Sequence, residues 1–297
     1  MNYRKLNKLS SLYFGAILAV GVTYWASISW IFLKTLPGTL MLMVYFLDSR
    51  KYGYGLESYG AMSQLWVSLG LWLLSLTLIL RTLVAGLKMI RMIGKTRKFV
   101  GGLKIVSQTG KRVVFDSESG EIFTAGLWSP KIYVANGLRK MHTAKELRAM
   151  VMHEENHTQS KDPLRTALVM MIERSLPGFP WKAKLAGYFY TLVEVCADKK
   201  AEERLKNRRP LITALYKRLA VGSRAISAGI IFFNSHSERI GLLVGNRKLN
   251  KNVFFGMVYV TITGVAVFSY LVTQVNFYNC PHLAMCLSAI TSVLELH

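Results

Sequence analysis

Three long stretches of this sequence contain no charged residue: Ser11 to Leu33, Ala61 to Leu80 and Val253 to Val275. A hydrocarbon core of about 30 Å is crossed by about 20 helical residues, so each stretch is long enough to span. Isolated strands are excluded there, because an open sheet edge in lipid leaves backbone groups unpaired. Internal repeats and low-complexity tracts are also lacking. The first run begins among Arg4, Lys5 and Lys8, as a cleaved signal would. Its 23 uncharged residues nevertheless exceed an h-region of about 7–15, and a retained anchor is expected.

Acidic residues are scarce, 16 Asp and Glu against 38 Lys and Arg, for a net charge of +22. Nucleic-acid binding would suit that balance. The basic residues are dispersed, however, with no nucleic-acid motif around them, so no specific nucleic acid is expected as a partner. Their placement follows the positive-inside rule. Arg81, Lys88, Arg91, Lys95, Arg97 and Lys98 follow the second run, and Arg247, Lys248 and Lys251 precede the third. No Lys or Arg occurs after Val275, and the 34–60 loop has only Lys34, Arg50 and Lys51 against Asp48 and Glu57. The N-terminus and residues 81–252 are therefore expected on the cytoplasmic face, drawn to the anionic lipid bilayer, with the tail outside.

Cysteine is rare too, with three in the chain. Cys196 falls in the cytoplasmic segment and should be a reduced thiol. Cys280 and Cys286 fall in the outward tail, as a short-loop disulfide or as two free thiols.

The expected organisation has three parts. Residues 1–99 hold two transmembrane helices (about 11–33 and 61–80), an external loop at 34–60 and a basic connector. Within that loop Leu40–Leu47 is too short to span and is expected at the interface. Residues 100–252 form a cytoplasmic domain, and 253–297 hold the third transmembrane helix and an external tail. Strand character appears at Arg112-Val-Val-Phe, Glu121-Ile-Phe-Thr and Lys131-Ile-Tyr-Val, separated by Gly and Ser clusters read as hairpin turns. Thr143-Ala-Lys-Glu146 then reads as a capping box opening a helix with an apolar stripe at Leu147, Met150 and Val151. Further helices are expected over 163–174, 181–206, 210–220 and 222–233.

The opened helix carries His153-Glu-Glu-Asn-His157. Residues four apart on a helix lie about 40° apart, so both imidazoles reach one tetrahedral zinc ion. Glu154 is turned toward the place of a zinc-bound water and can accept its proton as general base. A third ligand is needed. Glu194 and Asp198 share one face of a later helix, and either Glu194 ligates while Asp198 orients a histidine, or both make surface ion pairs with Lys199, Lys200 and Arg204.

Gly126-Leu-Trp-Ser-Pro-Lys-Ile-Tyr-Val-Ala-Asn-Gly-Leu138, Glu146-Leu-Arg-Ala, the H-E-x-x-H, Lys161-Asp-Pro163 and the downstream Glu194-x-x-x-Asp198 follow one another in an order that resembles the BlaR/MecR-type antirepressor metallopeptidase family. More distantly it is similar to the HtpX/Ste24-type membrane proteases. The resemblance covers roughly residues 105–250 and the layout of spans. It implies a multi-pass α-helical protein of the bacterial inner membrane with a mainly α, α+β gluzincin domain carrying a small β-sheet. It implies one Zn2+ held by His153, His157 and Glu194, Glu154 as base, and Asp162 as a supporting group. His236 and Arg239 fall where related enzymes place a basic residue near the site. Either would be an oxyanion stabiliser, or His236 is a solvated loop histidine. The function implied is a membrane zinc endopeptidase cutting a transcriptional repressor or itself. A non-catalytic signalling scaffold with a structural or empty zinc site is the alternative.

Two departures stand out. Glu155 replaces the family's apolar residue, and either faces solvent or adds negative charge to the site. No penicillin-binding domain follows the third run, so β-lactam sensing by this chain is not expected.

Overall fold

The computed structural model describes residues 2–52, 59–178, 181–220 and 251–274. The expected helix at 222–233, His236, Arg239, Cys280, Cys286 and the external tail lie outside the described residues.

Two long helices open the chain, α1 (Tyr3–Tyr52) and α2 (Tyr59–Gly101). Four strands follow, β1 (Ile105–Thr109), β2 (Arg112–Phe115), β3 (Ile122–Ala125) and β4 (Lys131–Ala135). Then come α3 (Leu138–Met141), α4 (Ala144–Gln159), α5 (Asp162–Ser175), α6 (Lys182–Leu205), α7 (Arg209–Ala220) and α8 (Lys251–Gln274). Among the described residues, three segments are long and apolar enough to cross a membrane: Tyr3–Leu40, Trp66–Gly101 and Asn252–Gln274.

Both early helices outrun their charge-free runs. The expected loop at 34–60 is helical as far as Tyr52, and the expected basic connector continues α2 to Gly101. The reason is local: Lys, Arg, Leu and Met are good helix formers, and basic side chains extend their stems along an apolar helix while the charge stays solvated. Pro37 sits inside α1. Thr35 and Thr39 bond back to the carbonyls of Ile31 and Thr35 at 2.9 and 3.0 Å.

Packing groups the residues otherwise than sequence order does. Among the described residues, one compact unit lies within 1–19 and 84–258, and the other within 20–83 and 259–297. In the second unit Phe32 stacks on Trp72 at 5.4 Å, Ser68 Oγ donates to Thr35 O at 2.8 Å, and Ile31 packs with Val272 and Leu71.

The first unit holds the sheet, in the order β1-β2-β4-β3. β1 and β2 form an antiparallel hairpin turned by Gly110, whose φ of +58° is the left-handed region glycine favours. β2 and β3 do not form the expected hairpin. β4 lies between them, parallel to β2 and antiparallel to β3. The β3–β4 turn requires Gly126, with φ +108° and the Ser129 oxygen 2.9 Å from where a Cβ would sit. This arrangement leaves β3 at one edge of the sheet, with β1 at the other.

Side chains alternate across the sheet. Val113, Phe115, Ala125, Tyr133 and Ala135 make one core, while Ile122 and Ile132 pack on the other face with Leu138, Met150 and Ala214. That second face receives α4. Ala149 then packs with Ala201 and Leu211, the two alanines letting α4 and α6 approach closely. The α4 start is the expected capping box, with Thr143 Oγ1 accepting from Glu146 N at 3.3 Å and Thr143 N donating to Glu146 at 3.1 Å.

Candidate metal centre

The centre is built on α4, whose inner face buries His153, Glu154 and His157 at 8, 7 and 9% exposure. Glu194 of α6, 8% exposed, lies against them. The Nε2 atoms of His153 and His157 are 3.1 Å apart. Glu194 Oε2 is 3.5 Å from the first and Oε1 is 3.4 Å from the second. His153, His157 and Glu194 thus form a group that could hold a metal ion.

A carboxylate backs each ring. One helical turn beyond Glu194, Asp198 Oδ1 lies 2.8 Å from His153 Nδ1. Asp162 Oδ2 lies 2.9 Å from His157 Nδ1. Asp162 reaches that point because Lys161, left-handed at φ 52° and ψ 40°, reverses the chain directly after α4. Pro163 fits the first turn of α5, where a missing N–H costs nothing.

These contacts fix the chemistry of the centre. An ionised carboxylate only accepts hydrogen bonds, so each Nδ1 must donate and each Nε2 keeps its lone pair. Two lone pairs and a carboxylate then converge with no donor among them. Only a positive charge reconciles them, as a proton or a metal ion. Burial opposes charge on His157, but Glu194, Asp162 and Glu154 outweigh it and raise its pKa from 6.5 to about 9. The residues present therefore fit a metal ion, on the chemistry of the donor set.

Glu154 stands apart from the ligand triplet. Thr124 Oγ1, on β3, lies 2.8 Å from Glu154 Oε2 and 3.1 Å from the Glu154 carbonyl. Thr124 shares its strand face with Ile122, so the alternation of β3 brings it to α4. Among the described residues Oε1 of Glu154 has no hydrogen-bond partner. An apolar recess formed by Ile122, Met150, Leu211, Ala214 and Leu215 opens beside His153 and Glu154.

Glu155 does not join the centre. It pairs with Arg112 of β2 and with Arg204 of α6, the latter at 3.1 Å. Cys196 is buried, and burial with the Asp162 charge pushes its thiol up to about 12, so it stays protonated. Sequence reasoning missed Thr124 and Arg165, whose Nη1 donates to Asp162 Oδ1 at 2.9 Å. The three-residue spacing from Asp162 to Arg165 on one helix was the available signal for the second.

No protein-family model matches the chain, and no curated protein matches it. Geometry and donor chemistry carry the assignment.

Proposed function

We propose that this chain is a membrane-anchored zinc-dependent endopeptidase that cuts a cytoplasmic or membrane-proximal protein. The single observation behind this reading is the buried triangle of His153 Nε2, His157 Nε2 and Glu194. The histidine edge of 3.1 Å is close to the edge of about 3.3–3.4 Å that zinc bonds of about 2.0–2.1 Å impose in a tetrahedron, and Glu194 sets one oxygen against each histidine, at 3.5 and 3.4 Å. Three protein ligands leave the fourth position open, which is the arrangement of a working site rather than a structural one. Zinc supplies Lewis acidity there, polarising a carbonyl and letting water lose a proton near neutral pH.

The protein groups divide the remaining work. Glu154 takes the proton of the attacking water at Oε1 and delivers it to the leaving amine, while Thr124 holds Oε2. Asp198 and Asp162 keep each Nε2 lone pair turned inward. The charge distribution supports a cytoplasmic orientation of this domain in the bacterial inner membrane, and the family resemblance supports a repressor or the chain itself as substrate.

The test uses full-length protein in detergent with zinc added. Cleavage of casein and of the chain itself is followed on gels, with bound zinc measured in parallel. Glu154→Gln should lose cleavage and keep zinc, whereas His153→Ala and Glu194→Ala should lose both. Full zinc retention in both ligand variants would sink the site, and wild-type cleavage by Glu154→Gln would sink the base.

A further inference from the structure

We propose that Arg165 is a positioning residue for the metal centre and that Ser10 of α1 holds it in place. The seating of α1 thereby sets how firmly His157 grips a metal ion. This inference rests on reading His153, His157 and Glu194 as ligands.

The connection is a continuous chain of polar contacts. His157 Nδ1 meets Asp162 Oδ2 at 2.9 Å. The other oxygen of Asp162 accepts from Arg165 Nη1 at 2.9 Å. Arg165 Nη2 donates to Ser10 Oγ, also at 2.9 Å. The guanidinium lies 5.1 Å from the ring centre of Phe14 and 5.2 Å from that of Phe189. Its side chain is 12% exposed, and Ser10 is 1% exposed.

Each contact removes one freedom. A carboxylate bonded through a single oxygen can rotate and let the imidazole rotate with it. The second bond, from Arg165, fixes the Asp162 plane and so fixes the His157 ring. Arginine suits the task because its planar fork presents two parallel N–H directions and stacks on aromatic faces. A lysine at 165 would reach only one partner. The fork is itself held from outside α5, by Ser10 and Phe14 of α1 and by Phe189 of α6. Asp162 and Arg165 alone would make an ordinary pair three residues apart. What exceeds the ordinary is the far end of the fork, spent on a buried hydroxyl at the edge of the first charge-free run. Movement of α1 along its axis removes Ser10 and Phe14 together, frees the guanidinium and loosens His157.

The experiment measures metal binding by the full-length protein in detergent, so it does not depend on proteolysis. Zinc affinity is read by chelator competition, and ligand geometry by the visible d–d bands of the cobalt(II) form. Arg165→Met keeps the packing stem and loses the fork. It should weaken zinc binding about 10–100-fold, as loss of a group behind a ligand histidine does, and shift the cobalt bands. Arg165→Lys should not rescue it. Ser10→Ala should cost about five-fold, the equivalent of one hydrogen bond. The double variant should lose no more than Arg165→Met alone, since both act through one path. Tyr3→Phe removes a different α1 contact, Tyr3 OH to Asn156 Oδ1 at 3.0 Å, and should leave affinity and spectrum unchanged.

Zinc affinities within two-fold of wild type and unchanged cobalt bands in Arg165→Met and Ser10→Ala overturn the proposal, whatever thermal stability does. Additive losses overturn it too, as does a Tyr3→Phe loss equal to that of Ser10→Ala. A wild-type chain that takes up neither zinc nor cobalt overturns the ligand reading itself, and this inference with it.

Discussion

Glu154 and Glu155 are neighbours in sequence, but α4 sends them to opposite environments. Glu154 points inward, 7% exposed, and meets a neutral hydroxyl, Thr124. Glu155 points about 100° further round the helix and is gripped by Arg112 and Arg204. A carboxylate gripped by two guanidiniums has both oxygens engaged, as Glu155 has with Arg112 on Oε1 and Arg204 on Oε2. One that receives a single neutral hydrogen bond on one oxygen keeps the other available. The difference teaches that adjacent residues of one helix can serve separate ends: Glu154 faces the candidate centre with one oxygen on Thr124, while Glu155 ties β2 to α6.

The largest expected effect breaks the comparison outright. Glu154→Gln should lower proteolysis by about 10²–10⁴-fold, the range of general-base catalysis, with zinc content unchanged. Equal loss in Glu155→Gln would show that the two glutamates are not distinct. Thr124→Val should be intermediate. Loss of a hydrogen bond to a charged group is worth about 1.5 kcal/mol or more, so kcat should fall about ten-fold with KM little changed. A KM effect alone would place Thr124 in substrate binding.

Glu146 gives a stability effect of middle size. It closes the capping box and lies 2.8 Å from Lys217 Nζ. Lys217, the Thr143 backbone and His142 hold its carboxyl below the ordinary value of 4.5, against the effect of burial. Its contribution is therefore present above about 4.5 and is lost as pH falls through the depressed folded value. Glu146→Gln should cost about 1 kcal/mol at neutral pH and flatten the acid limb of a stability–pH curve. An acid limb identical to wild type would remove Glu146 from that account. The smallest effect is Glu155→Gln on stability, under about 1 kcal/mol for a partly exposed pair in urea unfolding.

Part of this could be read from residues alone. The four-residue spacings of His153 with His157 and of Glu194 with Asp198 follow from helical periodicity, which is local. The capping box at Thr143 is equally local. What escaped was whatever depended on contacts distant in sequence. Placing β4 between β2 and β3 depends on pairing across the whole sheet, so the Gly and Ser clusters suggested a hairpin where none forms. Thr124 gains meaning only after β3 becomes an edge strand against α4. Ser10 reads as one more residue beside an apolar run, and only the fold brings it to Arg165, 155 positions away. Absence of charge marks the part of α1 and α2 that can lie in lipid, not the ends of the helices, because lysine and arginine extend a helix readily.

The inward convergence of three acceptors has a consequence for how the chain folds. Without a cation, folding must bring His153, His157 and Glu194 together against their mutual repulsion, or capture a proton to do so. A metal that relieves this conflict binds the folded state and not the unfolded one, and it deepens the native basin as its concentration exceeds its dissociation constant.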